Sequence, residues 1–177
     1  MSRLATIGYE GASIEDFIAT LKFANVERII DVRDVPISRR KGFSKNQLSE
    51  ALDNAGIMYV HLKALGDPKE GRDAAKSGAY DKFKRIYSAH LGTKSARIAL
   101  AEAAALAQSE SSCLLCYERD HKICHRTMVA ESLSNIVELE VKHLGVRDGL
   151  ARRGRNVGTR KNSRTRESFA ACGQVAR

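Results

Sequence analysis

The chain is 177 residues long, 43% hydrophobic and 29% charged, with a net charge of +9, enough chain for one domain with a sizeable core. No apolar run nears the roughly 18 residues of a membrane span, and residues 1–11 lack the apolar stretch of a secretory leader. Neither a membrane-spanning nor a secreted protein is expected, and a cytoplasmic one is the expectation.

In chain order, residues 4–7 are a short apolar run closed by Gly8 and predict a strand. Ser13 is the expected N-cap of a helix whose apolar residues recur at Ile14, Phe17, Ile18 and Leu21, the spacing of one buried face. Residues 28–32 predict a second strand. Ser44 opens a second helix with Leu48, Ala51, Leu52 and Ala55 on one side, ended by Gly56. A third strand is expected at 57–62, then a Gly- and charge-rich loop over 66–78. A helix bearing Tyr80, Phe83 and Tyr87 follows, and an Ala-rich helix over 96–107. Residues 112–117 predict the fourth strand, 124–135 a helix, and 137–141 a fifth strand whose Val-Glu-Leu-Glu-Val alternation suits a half-exposed edge.

Strands alternating with helices predict an α/β fold: a three-layer open sheet of about five mainly parallel strands, helices on both faces, in a single domain over residues 1–144. That stretch is nearly neutral, with 21 Lys/Arg against 19 Asp/Glu. Residues 145–177 carry nine against two and too little apolar surface to offset their ordering entropy. They read as a flexible basic tail, in which 152–166 could contact nucleic-acid phosphates.

In an open parallel sheet, ligands bind beyond the carboxyl ends of the strands, where three polar loops are expected to meet: 8–13, 33–42 and 118–123. Arg33 follows its strand directly and can aim across the sheet edge; Tyr9, Ser38 and Arg39 complete an anion-binding set, while Arg40 and Lys41 read as solvated charge. Cys116 and Glu118 stand two apart at a strand end and face the same way. Cys124, His125 and Arg126 fall in the first turn of the next helix, where the dipole favours a thiolate. Arg126 opposes that dipole, which an anion, either a ligand or Glu118, would relieve. Cys116 or Cys124 is then the nucleophile, Glu118 or His125 the general acid/base, and Arg33, Ser38, Arg39, Arg126 and Tyr9 the pocket. The implied enzyme is a thiol- or carboxylate-dependent hydrolase or transferase acting on a small anionic or nucleotide-like substrate.

Other patterns carry less. The four cysteines are not spaced as a disulfide framework, three of them falling between positions 113 and 124. Cys113-x-x-Cys116 with Cys124-His125 offers four zinc ligands and a structural zinc domain as an alternative. Residues three apart on a strand, however, point to opposite faces, so no metal ligand is assigned and no cofactor is required. Cys113, five residues and Arg119 mimic a cysteine-phosphatase loop but lack its glycines, and Gly8–Gly11 lacks the third glycine of a dinucleotide fingerprint. The Tyr80/Phe83/Tyr87 stripe reads as core packing, and His61 equally as a structural histidine.

Four segments, TIGYEG, IIDVRDVPISRR, AGIMYVHLKALG and CYERDHKICHR, stand in an order that resembles the domain-of-unknown-function 488 family, over about residues 4–143. That family has no agreed activity, so the resemblance implies a site and not a reaction. Its recurrent polar residues fall on Arg33, Arg39, Cys116, Glu118, Cys124, His125 and Arg126. Tyr9-Glu10 departs from the family's frequent pair, a His followed by Ser or Asn.

Overall fold

Five parallel strands form one sheet in the computed structural model, which describes residues 2–153. They are β1 (Ser2–Gly8), β2 (Arg28–Asp31), β3 (Met58–His61), β4 (Ser112–Cys116) and β5 (Leu139–Leu144), in the spatial order β3-β2-β4-β1-β5. The period-two alternation of the strands sorts their side chains into two cores. Ile29, Cys113 and Leu115 pack with Phe17, Leu21, Leu48 and Leu52 under α1 (Ile14–Phe23) and α2 (Lys45–Asp53). Ile30 and Leu114 pack on the opposite face under α3 (Lys69–Lys76), α4 (Tyr80–Leu91), α5 (Lys94–Ser109) and α6 (His125–Ser134). The expected α/β sheet with helices on both faces is the fold.

Local chemistry sets the element ends. Ser13 Oγ accepts the Asp16 N–H at 3.2 Å and caps α1. Ser44 precedes α2 but does not cap it: its hydroxyl donates to the Ser38 carbonyl and accepts the Ser38 N–H, both at 3.1 Å. The loop after β2 is thereby tied to the start of α2. The expected loop over 66–78 contains α3 instead. Its inward residues are Gly71 and Ala74, too small to register as an apolar period. The fifth strand begins at Leu139 and not at 137, because Leu139 is the partner of Ser2 in the β1 register; it lies at the sheet edge, its first four residues alternating in exposure.

Packing continues past Leu144. Val146 is buried in the α1–α2 core, the Thr20 hydroxyl accepts the Arg147 N–H at 3.0 Å, and the Asp16 carboxylate accepts the N–H groups of Gly149 and Ala151. From residue 154 onward the basic segment, with most of the 152–166 stretch, lies outside the described residues. Among those described, no helix is long and apolar enough to cross a membrane.

This topology locates a crevice. The chain leaves β1 and β2 toward α1 and α2 but leaves β4 toward α6 on the other face. A gap therefore opens at the carboxyl end of β4, flanked by the ends of β1 and β2.

Candidate functional site

A cavity of about 790 Å³ occupies that gap, a volume suited to a small molecule. Of the residues singled out in the sequence, Tyr9, Arg33, Ser38, Arg39, Cys116, Glu118 and His125 line it, whereas Cys124 and Arg126 do not. Arg40, Lys41, Arg72 and Lys76 make the rim more cationic than expected. Not all of this charge is available to a ligand. Arg40 donates to the Ala12 carbonyl at 2.8 Å, and Arg72 pairs with Asp34 at 2.8 Å and reaches the Asp67 carbonyl. Arg39, Lys41 and Lys76 are exposed and have no hydrogen-bonding or ion-pair partner among the described residues. Val35, Ile37 and Tyr117 add exposed apolar surface to the same opening.

Arg33 lies where the sequence put it but is engaged within the protein. Its Nε and Nη2 fork onto the fully buried Asp31 carboxylate at 2.6–3.1 Å, and Nη1 donates to Tyr9 Oη at 3.0 Å and to the Phe43 carbonyl at 2.9 Å. Burial works against its charge; the Asp31 carboxylate and Tyr9 more than offset this and raise its pKa. The Tyr9 ring stacks on Phe43 at 4.4 Å, so this residue shapes the wall of the cavity. Arg126 departs further from expectation. Only 1% exposed, it donates to the backbone carbonyls of Glu118 at 2.5 Å and Arg119 at 3.1 Å. It therefore braces the loop after β4 through main-chain oxygens.

The other wall is a cluster of four chemical groups. Cys116 Sγ and Cys124 Sγ lie 3.0 and 3.1 Å from Glu118 Oε2, and Cys116 Sγ lies 3.5 Å from His125 Nδ1. His125 Nε2 donates to the Val32 carbonyl at 2.8 Å. Burial pushes the pKa of both thiols up, the reverse of the lowering expected for Cys124 at a helix start. Burial would also raise Glu118, but the two thiol hydrogen bonds outweigh it and hold the carboxyl below its ordinary value. The donor atoms of Cys116, Glu118, Cys124 and His125 all lie within 4.8 Å of one another, close enough to hold an ion. Cys113 is not among them; it is buried in the opposite core, so the alternative zinc set that included it is not assembled.

Asp67 is the residue that sequence reasoning missed. It lines the cavity, is 6% exposed, and its Oδ1 is buried with no hydrogen-bond partner among the described residues. Gly71 makes room for it: a Cβ there would stand 2.1 Å from Oδ1. Burial raises the Asp67 pKa to about 6 against the lowering effects of His125 and Arg72. The signal available in the sequence is Asp67-Pro68 just ahead of a turn with glycine four positions on.

The raised value has a consequence for stability. The folded chain holds the Asp67 proton more tightly than the unfolded chain, so this contribution is complete below about pH 4 and is lost as pH rises through 6. In chelator-treated protein, Asp67→Asn should therefore raise the unfolding temperature at pH 7.5 relative to the parent chain, with the difference vanishing near pH 4. An equal difference at both values would contradict this environment for Asp67.

The remaining candidates are structural. Tyr87 is buried, donates to the Leu65 carbonyl at 2.6 Å and meets the His125 ring edge-on at 5.2 Å. His61 Nε2 donates to the Arg33 carbonyl at 2.7 Å. Cys116, Glu118 and His125, with Cys124 behind them, thus share one crevice with the loop bearing Arg33 and Arg39. No curated protein and no solved structure matches the chain. The family model described as "Domain of unknown function DUF488" matches residues 13–133, a stretch running from the cap of α1 into α6, and the chain belongs to that family.

Proposed function

We propose that the protein is an enzyme acting on a small anionic, nucleotide-like substrate held in the cavity at the carboxyl ends of β1, β2 and β4. One observation carries this reading: a single cavity joins cations unpaired among the described residues to a wall of acid/base groups. Arg39, with Lys41 and Lys76, receives the anion; Ser38 offers a hydroxyl beside them. Val35, Ile37 and Tyr117 supply apolar surface for a heterocycle attached to that anion, since a flat ring buries its faces against such side chains. Asp67, with its raised pKa and unpartnered oxygen, is suited to move a proton near neutral pH. Cys116, Glu118 and His125 form the reacting wall, with Cys124 behind them. Arg33 and Arg126 act as positioning residues, holding the two loops that carry this wall and the anion-binding residues.

Thermal unfolding with added ligand tests the reading. Adenosine monophosphate should raise the unfolding temperature, by mass action on the folded state, while adenosine should do so far less. Arg39→Gln combined with Lys41→Gln should remove most of the difference. Equal effects of nucleotide and nucleoside, unchanged in the double variant, would sink the proposal. With any substrate that is turned over, Asp67→Asn should lower kcat by about 10²–10⁴-fold.

A further inference from the structure

The cluster beside the cavity has the composition and placement of a metal centre. Cys116 is the last residue of β4, Glu118 follows two residues later, Cys124 is the N-cap of α6 and His125 its first residue. A strand end and a helix start therefore hold three of the four donors, and Arg126 pins the loop that carries the fourth. The shortest contacts among them are 3.0, 3.1 and 3.5 Å. Ligands of a tetrahedral zinc ion, with bonds near 2.0–2.3 Å, stand about 3.3–3.8 Å apart. The short pairs need open by only about half an ångström, and the widest, within 4.8 Å, close by about one, for an ion to sit at the centre.

The surroundings match this chemistry. His125 Nε2 is committed to the Val32 carbonyl, which leaves Nδ1 turned toward Cys116, the arrangement in which an outer hydrogen bond fixes the ligand tautomer. Cys116, Cys124 and His125 are each at most 6% exposed, so the soft donors are shielded from water. Two thiolates, one carboxylate and a divalent ion sum to one negative charge. Arg126 is a buried cation that pairs with main-chain carbonyls and with no carboxylate among the described residues, and it balances that charge.

We propose that Cys116, Glu118, Cys124 and His125 bind one divalent ion of the zinc class. On binding, the two S–H protons and the Nδ1 proton of charged His125 leave to solvent, and two sulfur–metal bonds and one nitrogen–metal bond replace them, with no change of oxidation state. Thiolate and imidazole donors select zinc over magnesium or calcium. Cys116, Glu118 and His125 line the cavity while Cys124 lies behind, so the ion faces whatever anion the cavity holds. This goes beyond the cavity reading and uses none of its claims about substrate.

The test is titration of the full chain, reduced and freed of metal by chelator, with cobalt(II). Saturation at one ion per chain with thiolate-to-cobalt charge-transfer absorption, displaced by zinc, is the expected result. Cys124→Ser should weaken affinity by about 100-fold, and Glu118→Gln by about tenfold with the thiolate band retained. Cys113→Ala should bind as the parent chain does. Far-ultraviolet circular dichroism shows whether a cysteine variant has unfolded, and Glu118→Gln decides the matter if it has. Absence of a stoichiometric thiolate band in the parent chain would overturn the proposal, as would a band lost in Cys113→Ala but kept in Cys124→Ser. Discovery of a Cys116–Cys124 disulfide in protein handled without oxygen would also overturn it. Because no nucleotide is present, failure here leaves the anion reading standing, and failure of nucleotide binding leaves this one standing.

Discussion

Arg33→Ala should lower unfolding free energy by about 3–5 kcal/mol, whereas Arg39→Ala, one loop turn away, should change it by less than about 0.5 kcal/mol. The two arginines stand in the same loop after β2 and in opposite environments. Arg33 is 5% exposed and answers the charge of Asp31, which is fully buried. Without the guanidinium, Asp31 keeps the Tyr59 hydroxyl at 2.7 Å and the backbone N–H of residue 33 at 3.1 Å, two donors and no countercharge. Removing one partner of a buried pair is costly because the other stays in a medium that solvates it poorly. Arg39 has no such partner, and its loss should appear in ligand affinity alone. Urea unfolding of both variants decides the point; similar values for the two would mean that Arg33 is not the anchor of the β2 loop.

Gly8→Ala should be nearly as damaging, and it should act through the site. A Cβ on residue 8 would stand 1.8 Å from the Glu118 carbonyl oxygen and 2.6 Å from its carbon. That carbonyl cannot give way cheaply. Arg126 holds it, the Glu10 N–H donates to the Tyr117 carbonyl at 2.9 Å, and the Arg119 N–H donates to Glu10 Oε2 at 3.0 Å. Forced separation of the β1 and β4 loops should cost about 3 kcal/mol, the upper part of the range for overpacking. It should also displace Glu118 from the two thiols. Cobalt affinity at least about tenfold weaker, together with the lost stability, is the expected pair of results. Full stability in Gly8→Ala would show that the two loops are not held against each other.

The sheet and the place of its crevice were legible because they depend on short-range patterns. RIID, SCLLC and the run before Gly8 are apolar stretches bounded by turn residues, and they became β2, β4 and β1. Cys113 lies in the α1–α2 core and Cys116 faces the cavity beside His125, on opposite faces as their spacing on a strand requires. What stayed hidden was which polar group faces which. Asp31 and Arg33 are two apart, so their contact was within reach of the same period-two reasoning, but Arg33 was read as free charge because its strand was read only for apolar residues. Arg126 looked like an anion partner since carbonyl acceptors leave no trace in a sequence. Asp67 escaped notice because α3 presents Gly71 and Ala74 inward, and a helix without large apolar residues looks like a loop. Cys124 was expected to be acidic from its place at a helix start; its burial at 2% exposure outweighs the dipole.

The most direct test follows backbone amide resonances of the full chain while inorganic phosphate and then adenosine monophosphate are added. Saturable shifts should be concentrated at Ser38 and Arg39 and should extend to Cys116 and Glu118 across the gap, with Arg39→Gln weakening the response about tenfold. Shifts confined to the loop after β2, to the basic segment beyond residue 153, or spread without saturation would mean that the strand ends do not share one binding cavity.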